Sequence, residues 1–273
     1  MLYLICTPIG NLNDFSVRSI NTLMEVDNIF VEDTRVSSKL LKHFEINKKT
    51  FPFYEHNEKE TSDKIINLIK NDQTVAILSD AGAPLISDPG YPLIQSCIKN
   101  DIPFTVIPGP SSVINSLILS GLPTDRFLFN GFLPKKNAAK KEIALKVKNS
   151  SVTNIFFESA KRLENTIEIF SEVLCPNTSI AICREMTKKH ESIYRGTLTE
   201  ISNLIKENKI KLLGEFVLLL NSDSSFSKSM NLDENFCRPF LDYLSPTDAS
   251  KLIAKITTSS KQQVYKFLLE ISK

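Results

Sequence analysis

The sequence predicts an α/β chain with two successive α/β layers and a small helical arm at its carboxyl end. Three observations carry that expectation. Short apolar runs alternate with helical patterns, and the alternation restarts after residue 126; a polar, Ser-rich run follows at residues 222–231; three helical segments come last. The chain's 273 residues, 42% hydrophobic and 23% charged, are enough for one large or two small domains whose core needs no disulfide or metal.

In the first set, residues 2–6, 28–31, 75–78 and 104–107 read as strands, because they are short, apolar and end in Gly, Pro, Asp or Ser. Residues 50–54 fit a further strand. Between them, residues 17–26, 36–44, 62–70, 92–99 and 113–119 read as helices. Ile65, Ile66 and Ile69 show one-sided spacing, with Leu68 widening the face. Asp14 or Ser16 suits the cap of the first helix, and Ser111 or Ser112 that of the last. In the second set, residues 127–132, 154–157, 179–183 and 216–220 read as strands, and 138–147, 163–174 and 198–207 as helices. Residues 193–196 suit an extra strand in a hairpin with 179–183. The arm is expected as helices 234–243, 247–257 and 262–271. The division expected from this pattern is 1–121, 122–221, a linker at 222–231 and the arm at 232–273.

The net charge of +2 is too weak to mark a nucleic-acid binder by itself. Five cysteines without a C-x-x-C pair read as reduced thiols, and three histidines lack zinc-ligand spacing, so no metal is expected. The chain opens on a strand without a signal-peptide pattern and holds no run long enough to span a bilayer, so a cytoplasmic location is expected.

The densest local signal is the loop at residues 79–90, S-D-A-G-A-P-L-I-S-D-P-G, between a strand and a helix. Its Gly and Pro residues let the backbone turn tightly or approach a ligand, and its Asp and Ser residues supply acceptors and hydroxyls. Open α/β sheets bind ligands at such strand ends, although a well-capped turn has the same composition. Thr7-Pro8-Ile9-Gly10-Asn11-Leu12, Glu32-Asp33-Thr34-Arg35 and Pro108-Gly109-Pro110-Ser111-Ser112 share that address. Neither G-x-G-x-x-G nor G-x-x-x-x-G-K-[ST] occurs, which argues against a Rossmann dinucleotide site and a P-loop. The segment from Cys183 to Glu191 is charge-dense, and Lys135, Lys136, Lys140 and Lys141 form a basic cluster. With Lys188 and Lys189, the cluster suits either a solvated face or a phosphate-contacting rim.

Taken in order, these loops resemble the bacterial ribosomal RNA small subunit methyltransferase I family, of the tetrapyrrole-methylase fold class. Ser120-Gly121-Leu122, Gly131-Phe132-Leu133-Pro134, Glu158-Ser159 and residues 214–217 continue the likeness, which runs from about residue 2 to 220 and weakens beyond. Ala83 stands where the family usually has Thr, Ser112 where it usually has Ala, and Thr257-Thr258-Ser259-Ser260 lacks its usual glycine. The resemblance implies two αβα domains of the tetrapyrrole-methylase type, a homodimer, and S-adenosylmethionine folded into the cleft between the domains. It implies methylation of a cytidine ribose 2′-hydroxyl in the decoding region of 16S ribosomal RNA, with the naked RNA or the 30S subunit as partner. Carried over, cofactor binding falls on Asp80, Ala83, Ser87, Asp88, Ser111, Ser112 and Glu158.

A proton acceptor and a cation near the methyl are sought among Glu32, Asp33 and Arg35, with Glu185, Lys188 and His190 as the second set. Lys135, Lys136, Lys140, Lys141, Lys188 and Lys189 are expected on RNA. A tetrapyrrole methyltransferase of the same fold and a non-catalytic RNA-binding ribosome-assembly factor are the alternatives. The lysine-rich loops favour RNA.

Overall fold

The computed structural model describes residues 1–222, 234–256 and 259–271. The first set forms five strands, β1 (Leu2–Ile5), β2 (Asn28–Val31), β3 (Thr50–Pro52), β4 (Val75–Leu78) and β5 (Phe104–Ile107). They make one parallel sheet in the order β3-β2-β4-β1-β5. Its inner strands are apolar on consecutive positions because helices cover both faces. Ile5, Ile29, Val31, Ala76 and Leu78 meet α1 (Val17–Glu25) and α2 (Thr34–His43) through Leu23, Leu40 and Leu41. Leu2, Leu4, Phe30, Val75 and Ile77 point the other way, onto α3 (Glu58–Lys70) and α4 (Tyr91–Lys99), through Ile65, Ile66, Ile69 and Leu93. The αβα sandwich is therefore written in the period-2 alternation of its three inner strands, β1, β2 and β4.

The second sheet is mixed, in the order β6-β7-β10-β8-β9. Its strands are β6 (Phe127–Phe132), β7 (Thr153–Ser159), β8 (Ser179–Arg184), β9 (Ser192–Thr197) and β10 (Glu215–Asn221). β8 and β9 pair antiparallel, as the hairpin expectation required. One face packs on α6 (Asn137–Lys148), α7 (Ala160–Val173) and α8 (Leu198–Lys206) through Phe156, Ile180, Ile182 and Leu218. The opposite face, Ile155, Ala181, Cys183, Val217 and Leu219, packs on Val113 and Leu117 of α5 (Ser112–Ser120). That helix follows the last strand of the first sheet but belongs by packing to the second. Arg195 Nε of β9 donates to the Leu119 carbonyl at 2.8 Å and holds its end.

Ser16 and Ser111 cap α1 and α5, accepting from Ser19 N–H at 3.0 Å and Ile114 N–H at 3.4 Å. The expected helices start late where a first turn is polar: α2 begins at Thr34 with Asp33 as its cap, α3 at Glu58 and α7 at Ala160. β3 stops at Pro52, short of the expected residue 54. The carboxyl-terminal helices Glu234–Leu241, Pro246–Ile256 and Lys261–Ile271 enclose a small core of Cys237, Ala249, Ile253, Val264 and Leu268. Residues 223–231 of the expected linker lie outside the described residues. Among the described residues no helix is long and apolar enough to cross a membrane.

Candidate active site

In the first sheet the neighbours β1 and β4 send their following helices, α1 and α4, to opposite faces, so at this switch point a crevice opens between them at the strands' carboxyl ends. Thr7 and Gly82 tie the two flanking loops with a reciprocal pair of backbone bonds of 2.8 and 3.1 Å. Thr7 Oγ1 donates to the Ser79 carbonyl at 3.1 Å, and Ser79 Oγ to the Gly82 carbonyl at 3.0 Å. Beyond this seam the 79–90 loop holds Leu85 and Ser87 at φ of 72° and 69° and Gly90 at 133°. Positive φ in a leucine and a serine costs energy that the surroundings must offset. Glu58 accepts from Gly90 N–H at 2.6 Å and pins the far end of the loop.

The loop walls a cavity of about 440 Å³, a size that suits a cofactor. Asp80, Ala83, Ser87, Asp88, Ser111 and Ser112 line it from the first sheet, with Glu32 beside them, and Glu158 lines it from the second. All seven residues expected at the cofactor thus border one space. Sequence reasoning missed the apolar side, Ile9, Phe132, Phe157, Met186 and Val217. Phe132 and Met186 sit inside quoted motifs, but an apolar residue in a loop gives no sign of what it faces.

The cavity's electrostatics are one-sided. Of the residues lining it, none is Lys, Arg or His, whereas Glu32, Asp80, Asp88, Glu158 and Glu215 are acidic. Burial raises the carboxyl pKa of Asp88 to about 7, with the charges of Glu32 and Asp80 adding to the shift. Glu32 and Asp80 are also raised, first by burial, then, for Glu32, by Asp80 and, for Asp80, by Asp33. Asp33 N–H donates to Asp80 Oδ1 at 3.1 Å, which couples the β2 and β4 strand ends. Among the described residues no group of three His, Cys, Asp or Glu side chains is arranged to hold a metal ion.

Asp33 and Arg35 do not line the cavity. They form an exposed pair, Oδ2 to Nη2 at 2.6 Å, and Arg35 holds Asp33 down at about 2.

Glu158 reaches the cavity wall, but its carboxylate is fully buried and engaged elsewhere. Oε1 meets Arg162 Nη2 at 2.6 Å and Ser159 N–H at 2.8 Å, while Oε2 accepts from Thr166 Oγ1 at 2.7 Å. Lys140 completes this group, with Nζ 2.6 Å from Thr166 Oγ1 and 3.5 Å from Glu158 Oε2. The expectation that Lys140 meets RNA is therefore corrected: its side chain is 0% exposed. It shares the inward face of α6 with Ala144 and Val147, at i+4 and i+7. Arg162 also donates to the Leu133 carbonyl at 3.2 Å, so the group braces the Phe132 loop as well. Lys135 and Lys136 are exposed, and Lys141 pairs with Glu172 at 2.6 Å on the surface.

Glu185, Lys188 and His190 also lie outside the cavity lining. Lys188 Nζ bridges Glu185 at 3.0 Å and Glu215 at 2.9 Å. His190 is exposed, and its carbonyl accepts from Arg184 Nη1 at 3.0 Å. Lys188 and Lys189 instead border an open groove with Asn11, Asn13 and His43. The groove exists because Gly10 lets the first-sheet loop touch the second: a Cβ there would overlap Lys188 Cγ and approach Thr187 Oγ1 to 2.9 Å.

The model of the tetrapyrrole (corrin/porphyrin) methylase family matches residues 1–202. Ribosomal RNA small subunit methyltransferase I of Vibrio cholerae is 38% identical over 272 residues, 99% of this chain and 94% of its own. Its namesake in Hydrogenobaculum is 46% identical over 228 residues, 82% of this chain and 96% of its own. That in Escherichia coli is 35% identical, over 98% of this chain and 94% of its own. Among solved structures, diphthine synthase superposes with a TM-score of 0.63 at 14% identity, over 81% of this chain and 90% of its own. Uroporphyrin-III-C-methyltransferase from Thermus thermophilus does so at 0.54 and 18%, over 81% and 94%. At such identities those two share the fold.

Proposed function

The chain belongs to the tetrapyrrole (corrin/porphyrin) methylase family and, within it, to the ribosomal RNA small subunit methyltransferase I group, and from that premise we propose that it methylates the 2′-hydroxyl of a cytidine ribose in the decoding region of 16S ribosomal RNA. The methyl donor in this reading is S-adenosylmethionine. One observation carries the donor assignment: the cavity at the switch point has acidic side chains and no basic one. A cationic sulfonium with an ammonium group fits such a site, and an anionic cofactor does not. When bound, the donor supplies a methyl on a cationic sulfur: the ribose O–H bond breaks, an O–C bond forms, the C–S pair stays on sulfur and one proton is left over.

In this reading Asp80 and Asp88 face the donor's positive groups, and Ser87, Ser111 and Ser112 offer hydroxyls and backbone N–H groups. Phe157 and the buried Met186 exclude water on the apolar wall, which strengthens every charge interaction inside. Residues 1–121 supply the unpaired carboxylates Glu32, Asp80 and Asp88, and residues 122–221 most of the apolar wall. Of the proton acceptors expected among Glu32, Asp33, Glu185 and His190, Glu32 alone lines the cavity. Lys135, Lys136, Lys141 and Lys189 serve as the phosphate-contacting rim. A homodimer is supported by the apolar side chains exposed on α5 and on the edge strands β5 and β6, Ile118, Val106 and Leu128 among them. A cytoplasmic location follows from the substrate.

The test is methyl transfer from labelled donor to 30S subunits and to naked 16S RNA, followed by nuclease digestion and chromatography of the nucleosides. Label in 2′-O-methylcytidine is expected. Label in a base, or none in RNA while a tetrapyrrole acceptor is methylated, overturns the reading. Sedimentation of the purified chain at one subunit mass would remove the homodimer.

A further inference from the structure

The carboxylates around the cavity are not equivalent. Glu158 is matched by Lys140 and Arg162, and Glu215 by Lys188. Glu32, Asp80 and Asp88 come from two strand ends and the strained loop, and among the described residues none of them forms an ion pair. Arg35 acts on Asp80 from outside the cavity, and its charge is paired with Asp33. Asp88 therefore faces Glu32 from β2 and Asp80 from β4. Glu58, at the start of α3, is turned to Gly90 N–H. Three clustered negative charges suit a cation, but they repel one another once that cation has become neutral.

Methyl transfer makes this change, and this inference rests on the methyl donor proposed above. The sulfur loses its positive charge and the ribose oxygen loses a proton. We propose that Asp88 keeps the net charge of the cavity constant by taking up that proton: Glu32, Asp80 and Asp88 are all ionised beside the sulfonium, and the Asp88 carboxylate is protonated once sulfur is neutral. The balance closes within the cavity: one positive charge leaves sulfur, one proton arrives on a carboxylate oxygen, and the proton returns to water when the next cationic donor enters. Asp88 suits this role by place: it lines the cavity from the 79–90 loop, between a positive-φ serine and Pro89, whereas Asp80 and Glu32 are each held by a backbone N–H, of Asp33 and of Asp80. Its pKa near 7 makes the exchange feasible at neutral pH.

The test counts protons instead of turnover. The full chain is titrated calorimetrically with S-adenosylmethionine and, separately, with S-adenosylhomocysteine. Both titrations are run at pH 7 in buffers of different ionisation enthalpy, with wild type and Asp88→Asn. A group half-protonated at pH 7 releases up to about half a proton with the cationic ligand and gains up to about half a proton with the neutral one. The difference between the ligands is therefore expected to be up to about one proton larger in wild type than in Asp88→Asn. An equal difference in both proteins overturns the inference. No binding of S-adenosylmethionine to wild type overturns the functional reading, and the inference with it. The carboxyl ¹³C signal of Asp88 in unaltered protein gives a second readout should the variant not fold. Its titration midpoint is expected to fall with the cationic ligand and rise with the neutral one; one common midpoint refutes the role.

Discussion

Replacing Glu158 by Gln tests whether the cleft wall depends on its buried charges. The substitution keeps the shape and removes one negative charge. It leaves the Lys140 ammonium, at 0% exposure, with Thr166 Oγ1 as its remaining close partner. An uncompensated buried charge costs about 3–5 kcal/mol. Lys140→Met is milder, because the Glu158 carboxylate keeps Arg162 at 2.6 Å, Ser159 N–H at 2.8 Å and Thr166 at 2.7 Å. It loses roughly the worth of one charged hydrogen bond, about 1–3 kcal/mol. In Lys140→Met/Glu158→Gln neither charge is stranded, so the double variant is expected to be more stable than the sum of the singles allows. A coupling of about 1–3 kcal/mol follows. Urea unfolding followed by circular dichroism measures all four corners of the cycle. Single variants that add within about 0.5 kcal/mol, or a Gln variant no less stable than the Met one, would refute the network. The buried lysine also has a pH signature. Burial lowers its pKa from the ordinary lysine value, so the folded state releases this proton first and the pair's contribution changes on the alkaline side.

Four further outcomes are expected. Donor affinity should fall as pH drops from 8 to 6, by up to about tenfold per pH unit, because Asp88 has its pKa near 7 and loses its negative charge on protonation; dissociation constants that stay level over that range would count against an acidic donor site. Gly10→Ala forces a Cβ against Lys188 Cγ and Thr187 Oγ1, so it should open the seam between the loops and lower stability by about 1–3 kcal/mol, measured by thermal melting. Lys189→Ala should reduce the salt slope of RNA binding by about 1, whereas Lys188→Ala should do less because two carboxylates already hold that ammonium; equal slopes would return both lysines to solvent. Asp33→Asn should leave single-turnover methyl transfer within about twofold, since its carboxylate faces Arg35 outside the cavity; a loss on the order of 10²-fold or more, the scale of a general base, would put it back among the reacting groups.

What was legible in the sequence follows from periodicity and local chemistry. Ile29, Phe30 and Val31 are buried towards both helical layers, so an apolar run of three is itself the signature of a covered parallel strand. Ser16 and Ser111 announce helix starts because a hydroxyl can satisfy a free N–H. The late starts of α2, α3 and α7 have the opposite cause, since polar first turns carry no apolar stripe. The polar side chains that line the cavity were legible because they sit in loops of unusual composition. A charge run does not say which of its members face solvent. The helix separates them: Lys140 falls in line with Ala144 and Val147, Lys141 falls off that line, and Lys136 is the cap outside the helix. Glu158, the partner of Lys140, was beyond reach, because which strand faces α6 is settled by tertiary packing.

The same packing explains why neither sheet makes the site alone. The first sheet contributes every unpaired carboxylate, and loops there are rigid through the Thr7–Gly82 bonds and the Glu58 anchor. Left open to water, those carboxylates would be screened and would discriminate a cation poorly. The second sheet contributes Phe132, Phe157 and Met186, which bring apolar surface but no charge to the cavity. It also keeps its own acids matched, with Lys140 and Arg162 on Glu158, so that wall adds little net field. Helix α5 joins the halves: its first turn borders the carboxylates, and its Val113 and Leu117 are buried against the second sheet. A rotation between the sheets would therefore cost core contacts at α5 and the close approach at Gly10 together. The unpaired carboxylates and most of the apolar wall come from different sheets, held in register by one helix and one residue without a side chain.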